Sequence, residues 1–142
     1  MPLTLLPGPR LAEAEAFEPG RVDRYTGPTA VARVLAANDD SLRVYEVRFA
    51  AGARTVWHVH AGDQWLIGLV GSCLVQCSGE AVRHLGPGEA TQIPAGVRHW
   101  HGAGQQNGAS HLVVNVAGAT TWEAPLSPDE YAAALAQSES AS

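Results

Sequence analysis

The stretch Gly52-Ala53-Arg54-Thr55-Val56-Trp57-His58-Val59-His60-Ala61-Gly62-Asp63-Gln64 and its later echo Pro94-Ala95-Gly96-Val97-Arg98-His99-Trp100-His101 decide how this chain is read. Each holds a His-x-His pair. In a strand, residues i and i+2 point to one face, so each pair sets two imidazoles side by side. Gly and Pro frame both pairs, as they frame the turns between short strands. Gln64 follows His60 by four positions. A tight turn through Ala61-Gly62-Asp63 returns it beside the histidines on the next strand. One such pair is as readily read as surface histidines. Two framed pairs point to a metal site.

Outward from these words the text keeps the same rhythm. Short apolar runs over Ala30–Ala36, Leu42–Ala50, Thr55–His60, Gln64–Val70, Ser72–Cys77, Ala81–Leu85, Ala90–Ile93, Val97–His101 and Ser110–Val116 alternate with turn residues. This spacing predicts an all-β sandwich or barrel. Residues 1–28 read as an N-terminal arm with a short helical turn over Ala14–Phe17, and residues 29–126 as the β-barrel. Residues 127–142 read as a C-terminal helix and tail. Ser127-Pro128-Asp129-Glu130 is a capping box that starts the helix, and the closing SESAS reads as frayed.

Composition narrows the function. The chain has 142 residues, 46% hydrophobic and 16% charged, which suits one globular domain. The net charge of −5 gives nucleic-acid binding no electrostatic support. All nine basic residues are Arg, and the absence of Lys excludes Schiff-base chemistry and a Walker A loop. No apolar run has membrane-spanning length, and the N-terminus does not read as a secretory signal, so a cytoplasmic protein is the expectation. Cys73 and Cys77 would stand about 13 Å apart along a strand, too far for a disulfide. They read as buried free thiols.

The framing resembles two motifs of the cupin superfamily. Gly52, His58-Val59-His60, Gln64 and Gly71 look like the first motif; Gly88, Pro94-Ala95-Gly96 and His99 look like the second. Two positions depart from the pattern: Gln64 stands for the usual Glu, and Ala103 for a terminal Asn. The resemblance implies a double-stranded β-helix, or jelly-roll barrel, with a short C-terminal helix. A closer likeness runs from about Tyr45 to Asn115. It rests on Trp57-His58-Val59-His60, Gln64, His99-Trp100-His101-Gly102-Ala103 and His111-Leu112, with Trp122-Glu123 and Tyr131 beyond. These words are similar to the bacterial manganese-dependent cupin hydroxynitrile lyases.

That likeness implies one divalent metal per chain, held by His58, His60, Gln64 and His99. Manganese is preferred, with Fe, Zn, Co and Ni compatible with mixed nitrogen and oxygen donors. Three imidazoles and an amide leave the dipositive charge uncancelled, which favours Lewis-acid lyase, isomerase or hydrolase chemistry over oxygen activation. The expected function is a lyase of hydroxynitrile-lyase type acting on a small aromatic or carbonyl-derived substrate. Either His111 or His101 is the expected base, and His101 is equally read as structural. Tyr45 stands where the lyases carry a small residue and would narrow the pocket or add a catalytic phenol to the chemistry; Asn115 stands where they carry a longer amide. A monocupin polyketide cyclase, a quercetinase-like dioxygenase and a non-catalytic ligand-binding cupin are the alternative readings.

His84 reads as a surface histidine; Arg54 either reaches the barrel mouth, by its strand parity with His58, or, the preferred reading, is a solvated side chain after the Gly52 turn. Trp57, Val59, Trp65, Ile67, Leu69, Leu112, Val114 and Val116 share the parity opposite to the ligands. So many apolar residues need cover from another sheet, the arm or a second chain. A homodimer is therefore expected; a monomer mass by light scattering at micromolar concentration would overturn this.

Overall fold

In the computed structural model, which describes residues 17–140, the alternating segments pair into two antiparallel sheets. The first sheet runs β1 (Glu18–Pro19), β3 (Thr29–Ala36), β4 (Leu42–Phe49), β12 (Ala109–Val116), β7 (Gln64–Val70), β10 (Ala90–Ile93). The second is built around β11 (His99–Ala103). On one side β11 pairs with β8 (Cys73–Cys77), which pairs in turn with β9 (Arg83–Leu85). On the other side it pairs with both β5 (Arg54–Thr55) and β6 (His58–His60). These carry β2 (Tyr25–Thr26) and β13 (Thr120–Trp122) respectively. Curled together, the sheets form the expected jelly-roll barrel.

Side chains of alternate parity fill the space between the sheets. Val47, Phe49, Leu66, Val75, Leu85, Ile93 and Val113 form this core, with Tyr25, Val31, Tyr45 and Val97 packed against it. Each such burial is worth roughly 1.5–3 kcal/mol.

The other face of the second sheet is covered by α1 (Pro128–Ser140) and the segment before it. Trp57, Leu74, Val82 and Trp100 pack there against Leu126, Tyr131 and Ala134. The Tyr131 hydroxyl donates to Ala103 O at 2.8 Å, and Trp100 Nε1 donates to Gln76 Oε1 at 2.8 Å. Both faces of β11 are thus enclosed, which is why all five of its residues are buried. Trp57 therefore finds its cover in the helix and the segment before it, rather than in another sheet, the arm or a second chain.

The capping box forms as expected: Glu130 N donates to Ser127 Oγ at 3.0 Å and Ser127 N to Glu130 Oε1 at 2.8 Å. The helix continues to Ser140, which corrects the expected fraying over residues 138–140; residues 141–142 lie outside the described residues. Ser138 is buried because its hydroxyl bonds His84 Nε2. His84 is exposed as expected, but its Nδ1 also engages Ser72 Oγ at 2.8 Å, so it ties the helix to the β8–β9 hairpin. Arg54 is half-buried with its guanidinium 3.9 Å over the Tyr131 ring, rather than solvated after the Gly52 turn. Cys73 and Cys77 are free, the first buried and the second half-buried.

Three strands differ from expectation by more than a single terminal residue. The segment Thr55–His60 is broken, because Val56 N bonds Arg24 O at 2.9 Å and Trp57 N bonds Ala124 O at 3.1 Å. The chain changes partners there, from β2 to β13. The strand expected over Val97–His101 starts at His99, since Pro94–Val97 closes a turn with Gly96 at φ 80°. Ala81–Leu85 contributes only Arg83–Leu85 to a strand. The short strands β1, β2 and β13 were not anticipated; two or three residues carry no alternation to read. Of the helical turn expected over Ala14–Phe17, all but Phe17 lies outside the described residues.

Gly68 shows how tightly the sheets are joined. Its N–H donates to Glu89 O at 2.8 Å, and its carbonyl accepts from Gly88 N at 2.9 Å. A Cβ at this position would lie 2.0 Å from Gly86 O. Gly68→Ala is expected to lower stability by about 1–3 kcal/mol or more, the cost of overpacking a rigid site. Urea denaturation of the two proteins would measure it; an unchanged midpoint would contradict this packing.

Candidate metal centre

Register brings the two His-x-His words together. His99 lies directly opposite His58 in the β6–β11 pair. Alternation along β11 sends Trp100 to the helix side and His99 and His101 to the interior. The donor nitrogens of His58, His60 and His99 all lie within 4.8 Å of one another, and all three rings are buried.

Backbone carbonyls fix two of the rings. His58 Nδ1 lies 2.8 Å from Val56 O, and His99 Nδ1 lies 2.9 Å from Val97 O. A carbonyl only accepts, so each Nδ1 carries the hydrogen and each Nε2 keeps a lone pair. His60 Nδ1 lies 2.8 Å from Thr120 Oγ1, its cross-strand neighbour on β13. Burial lowers the pKa of His60 and His99 from 6.5 to about 4. For His60 the neighbouring His99 and Arg43 add to the effect. Burial, reinforced by His99, takes His58 well below its ordinary value. The triad is neutral near pH 7, with lone pairs free to bind a cation.

Gln64 completes the cluster. Its Nε2 lies 2.7 Å from His60 Nε2 and donates to Asn115 Oδ1 at 2.9 Å. Its Oε1 lies 2.9 Å from His99 Nε2. His99 thus sits between two acceptors, Val97 O and Gln64 Oε1, with one ring hydrogen to share between them. One of these contacts sets a lone pair against a lone pair, and burial opposes a second proton. A divalent cation held by His99 and Gln64 would remove the conflict. The residues present therefore fit a metal.

A second histidine pair adjoins the first cluster. His111 Nε2 lies 2.9 Å from His101 Nδ1, while His101 Nε2 and His111 Nδ1 are buried without a hydrogen-bond partner. Burial lowers His111 to about 4. It takes His101 well below the ordinary value, with His111 and His58 adding to the effect. His101 lines the cavity beside the triad. His111 stands behind it, edge-on to Phe49 at 5.2 Å, and is not part of the cavity wall.

The cavity holds about 250 Å³ and includes Tyr45 in its wall. Arg33 Nη2 donates to the Tyr45 hydroxyl at 3.3 Å. Trp122 stacks on His58 with ring centroids 4.7 Å apart and planes at 29°. Among the wall residues not anticipated as site residues, Thr120, Trp122, Arg24 and Arg43 carry polar or aromatic groups that bear on its chemistry. Arg43 had a legible signal, since it shares strand parity with Tyr45. Arg24 and Thr120 had none.

The model of the Cupin domain matches residues 45–115. The chain belongs to the cupin family. It is 34% identical over 102 residues to an (R)-mandelonitrile lyase of Granulicella tundricola, covering 71% of this chain and 78% of that protein. A cupin-like protein from Thermotoga maritima superposes with TM-score 0.79 at 33% identity, over 82% of this chain and 91% of its own. The polyketide cyclase RemF from Streptomyces resistomycificus shares the fold, with TM-score 0.66 and 21% identity over 84% and 88% of the two chains. The family and the histidine triad support a metal-binding cupin enzyme. Among the described residues, no helix is long and apolar enough to cross a membrane.

The titration of the triad has a sign. His60 and His99 have folded values of about 4 against an ordinary 6.5, so between these pH values the unfolded chain binds more protons. Stability is full above about 6.5 and is lost as pH falls toward about 4. The urea midpoint of chelator-treated protein should drop between pH 7 and pH 5. A flat midpoint would contradict a buried neutral triad.

Proposed function

We propose that this chain is a metal-dependent lyase of the hydroxynitrile-lyase type. One divalent transition metal, manganese by preference, would be held by His58, His60, His99 and Gln64 Oε1. The observation that carries this reading is His99, caught between Val97 O and Gln64 Oε1 with a single hydrogen. The likeness to the (R)-mandelonitrile lyase supports the reaction type. When bound, such a metal is a Lewis acid that polarises a substrate oxygen and makes its hydroxyl more acidic.

The chain's own residues supply the rest. His101 presents an unpartnered Nε2 in the wall of the cavity and takes the substrate hydroxyl proton there. In that tautomer its Nδ1 hydrogen points to His111 Nε2, 2.9 Å away. His111 thereby holds His101 in the basic form and accepts a stronger hydrogen bond once His101 is charged. Asn115 orients the Gln64 amide by accepting from Nε2, which leaves Oε1 facing His99. The Tyr45 phenol and the Trp122 ring narrow the cavity around a small substrate. Loss of the proton and cleavage of the carbon–carbon bond then release an aldehyde and cyanide.

Mass spectrometry of untagged protein purified without chelators should find close to one metal per chain. Its loss is expected in His58→Ala. Mandelonitrile should release cyanide. His101→Ala should keep the metal and lose roughly 10²–10⁴-fold in kcat, the usual weight of a general base. Wild-type protein that neither carries nor takes up metal would sink the proposal.

A further inference from the structure

The wall of the metal cavity contains two arginines, Arg24 and Arg43, and no aspartate or glutamate. Neither arginine forms an ion pair among the described residues, where the carboxylates of Asp23, Asp40, Glu46 and Glu123 are engaged by other arginines. The Nε atoms of both are buried without a hydrogen-bond partner. Both residues are half-buried, and a guanidinium that faces no fixed anion keeps its charge available to a ligand.

Both are held in place by the fold. Arg24 is fixed by its backbone, whose carbonyl accepts from Val56 N at 2.9 Å, and its guanidinium lies 5.1 Å over the Trp122 ring. Its side chain has no hydrogen bond to any described residue. Arg43 stands on β4 in one row with Asn115 and Gln64, its lateral neighbours on β12 and β7. Arg43 Nη2 donates to Gly118 O at 3.1 Å, which spends one of five donors and none of the charge. The metal donors are all neutral as well, so nothing in the cavity wall offsets positive charge.

We infer that the substrate of this cavity is a small carboxylate, its anionic group held by Arg24 and Arg43 and its apolar body against Tyr45, Val47 and Trp122. This rests on reading the cavity as the substrate site, and it deepens the proposed lyase by requiring that the cyanohydrin it cleaves carry a carboxylate, for which neutral mandelonitrile is a poorer surrogate. Planar guanidinium forks match the two oxygens of a carboxylate, and a cavity of about 250 Å³ admits a body of one small ring. A neutral cyanohydrin would leave both arginines unanswered.

Matched acid–amide pairs provide the test: glycolate with glycolamide, mandelate with mandelamide, benzoate with benzamide. Isothermal titration of the metal-loaded protein should show at least one acid binding tenfold or more tightly than its amide. That preference should collapse in Arg24→Gln/Arg43→Gln and survive in part in Arg24→Lys/Arg43→Lys. Thermal melting and metal content confirm that each variant is folded and loaded. No preference in any pair, or a preference unchanged in the double glutamine variant, overturns the inference. Tighter binding of inorganic phosphate than of every acid also overturns it. These outcomes are separable from the metal reading: protein that holds metal but shows no acid preference fails only the carboxylate inference. Protein without metal that still prefers the acid through its arginines fails only the lyase.

Discussion

Two backbone carbonyls, Val56 O and Val97 O, govern the chemistry of this protein. Each takes the Nδ1 hydrogen of the histidine two residues on, and so commits the opposite ring nitrogen to carrying a lone pair. The arrangement is possible because the residues that precede His58 and His99 are not in regular ladders. Val56 and Trp57 lie where the chain leaves β2 for β13, and Val97 closes the Pro94 turn. The carbonyls of Val56 and Val97 are therefore free to bond side chains. The breaks in the strands are thus what orients the ligands.

Neutrality follows from the same enclosure. β11 is buried on both faces, so its histidines lie between the apolar core and the tryptophan-rich layer under the helix. Burial there disfavours the imidazolium form. The helix packs on the face of the sheet opposite the site, and it nevertheless sets the dielectric in which the ligands work. Tyr131 ties it to β11 through Ala103 O, at the end of the strand that begins with His99.

Much of this was legible in the order of residues. The two His-x-His words, their Gly and Pro frames and the return of Gln64 could be read because strand alternation is a strict rule of period two. The long strands and the capping box at Ser127 were legible for similar reasons. The short strands β1, β2 and β13 were not: their existence is decided by distant partners rather than by local pattern. Thr120 and Trp122 entered the site unannounced because β13 is one of those strands. The separation of His101 from His111, one in the cavity wall and one behind it, also lay beyond parity. It depends on the bulge between Ser110 and His111 and on the bulk of Phe49. Arg54 was misplaced because its partner, Tyr131, lies in the helix, far along the chain.

Arg24 and Trp122 stand together over the metal cavity yet come from opposite ends of the described chain. Their meeting requires both β2 on β5 and β13 on β6. β2 and β13 are only two and three residues long, so few ladder hydrogen bonds hold the mouth of the site. The opposite wall rests on the eight-residue strands β4 and β12, paired along their whole length. Weakly paired elements open at the least cost, so the mouth parts while that wall stays built. Such opening uncovers the three histidines and gives a metal ion its easiest entry.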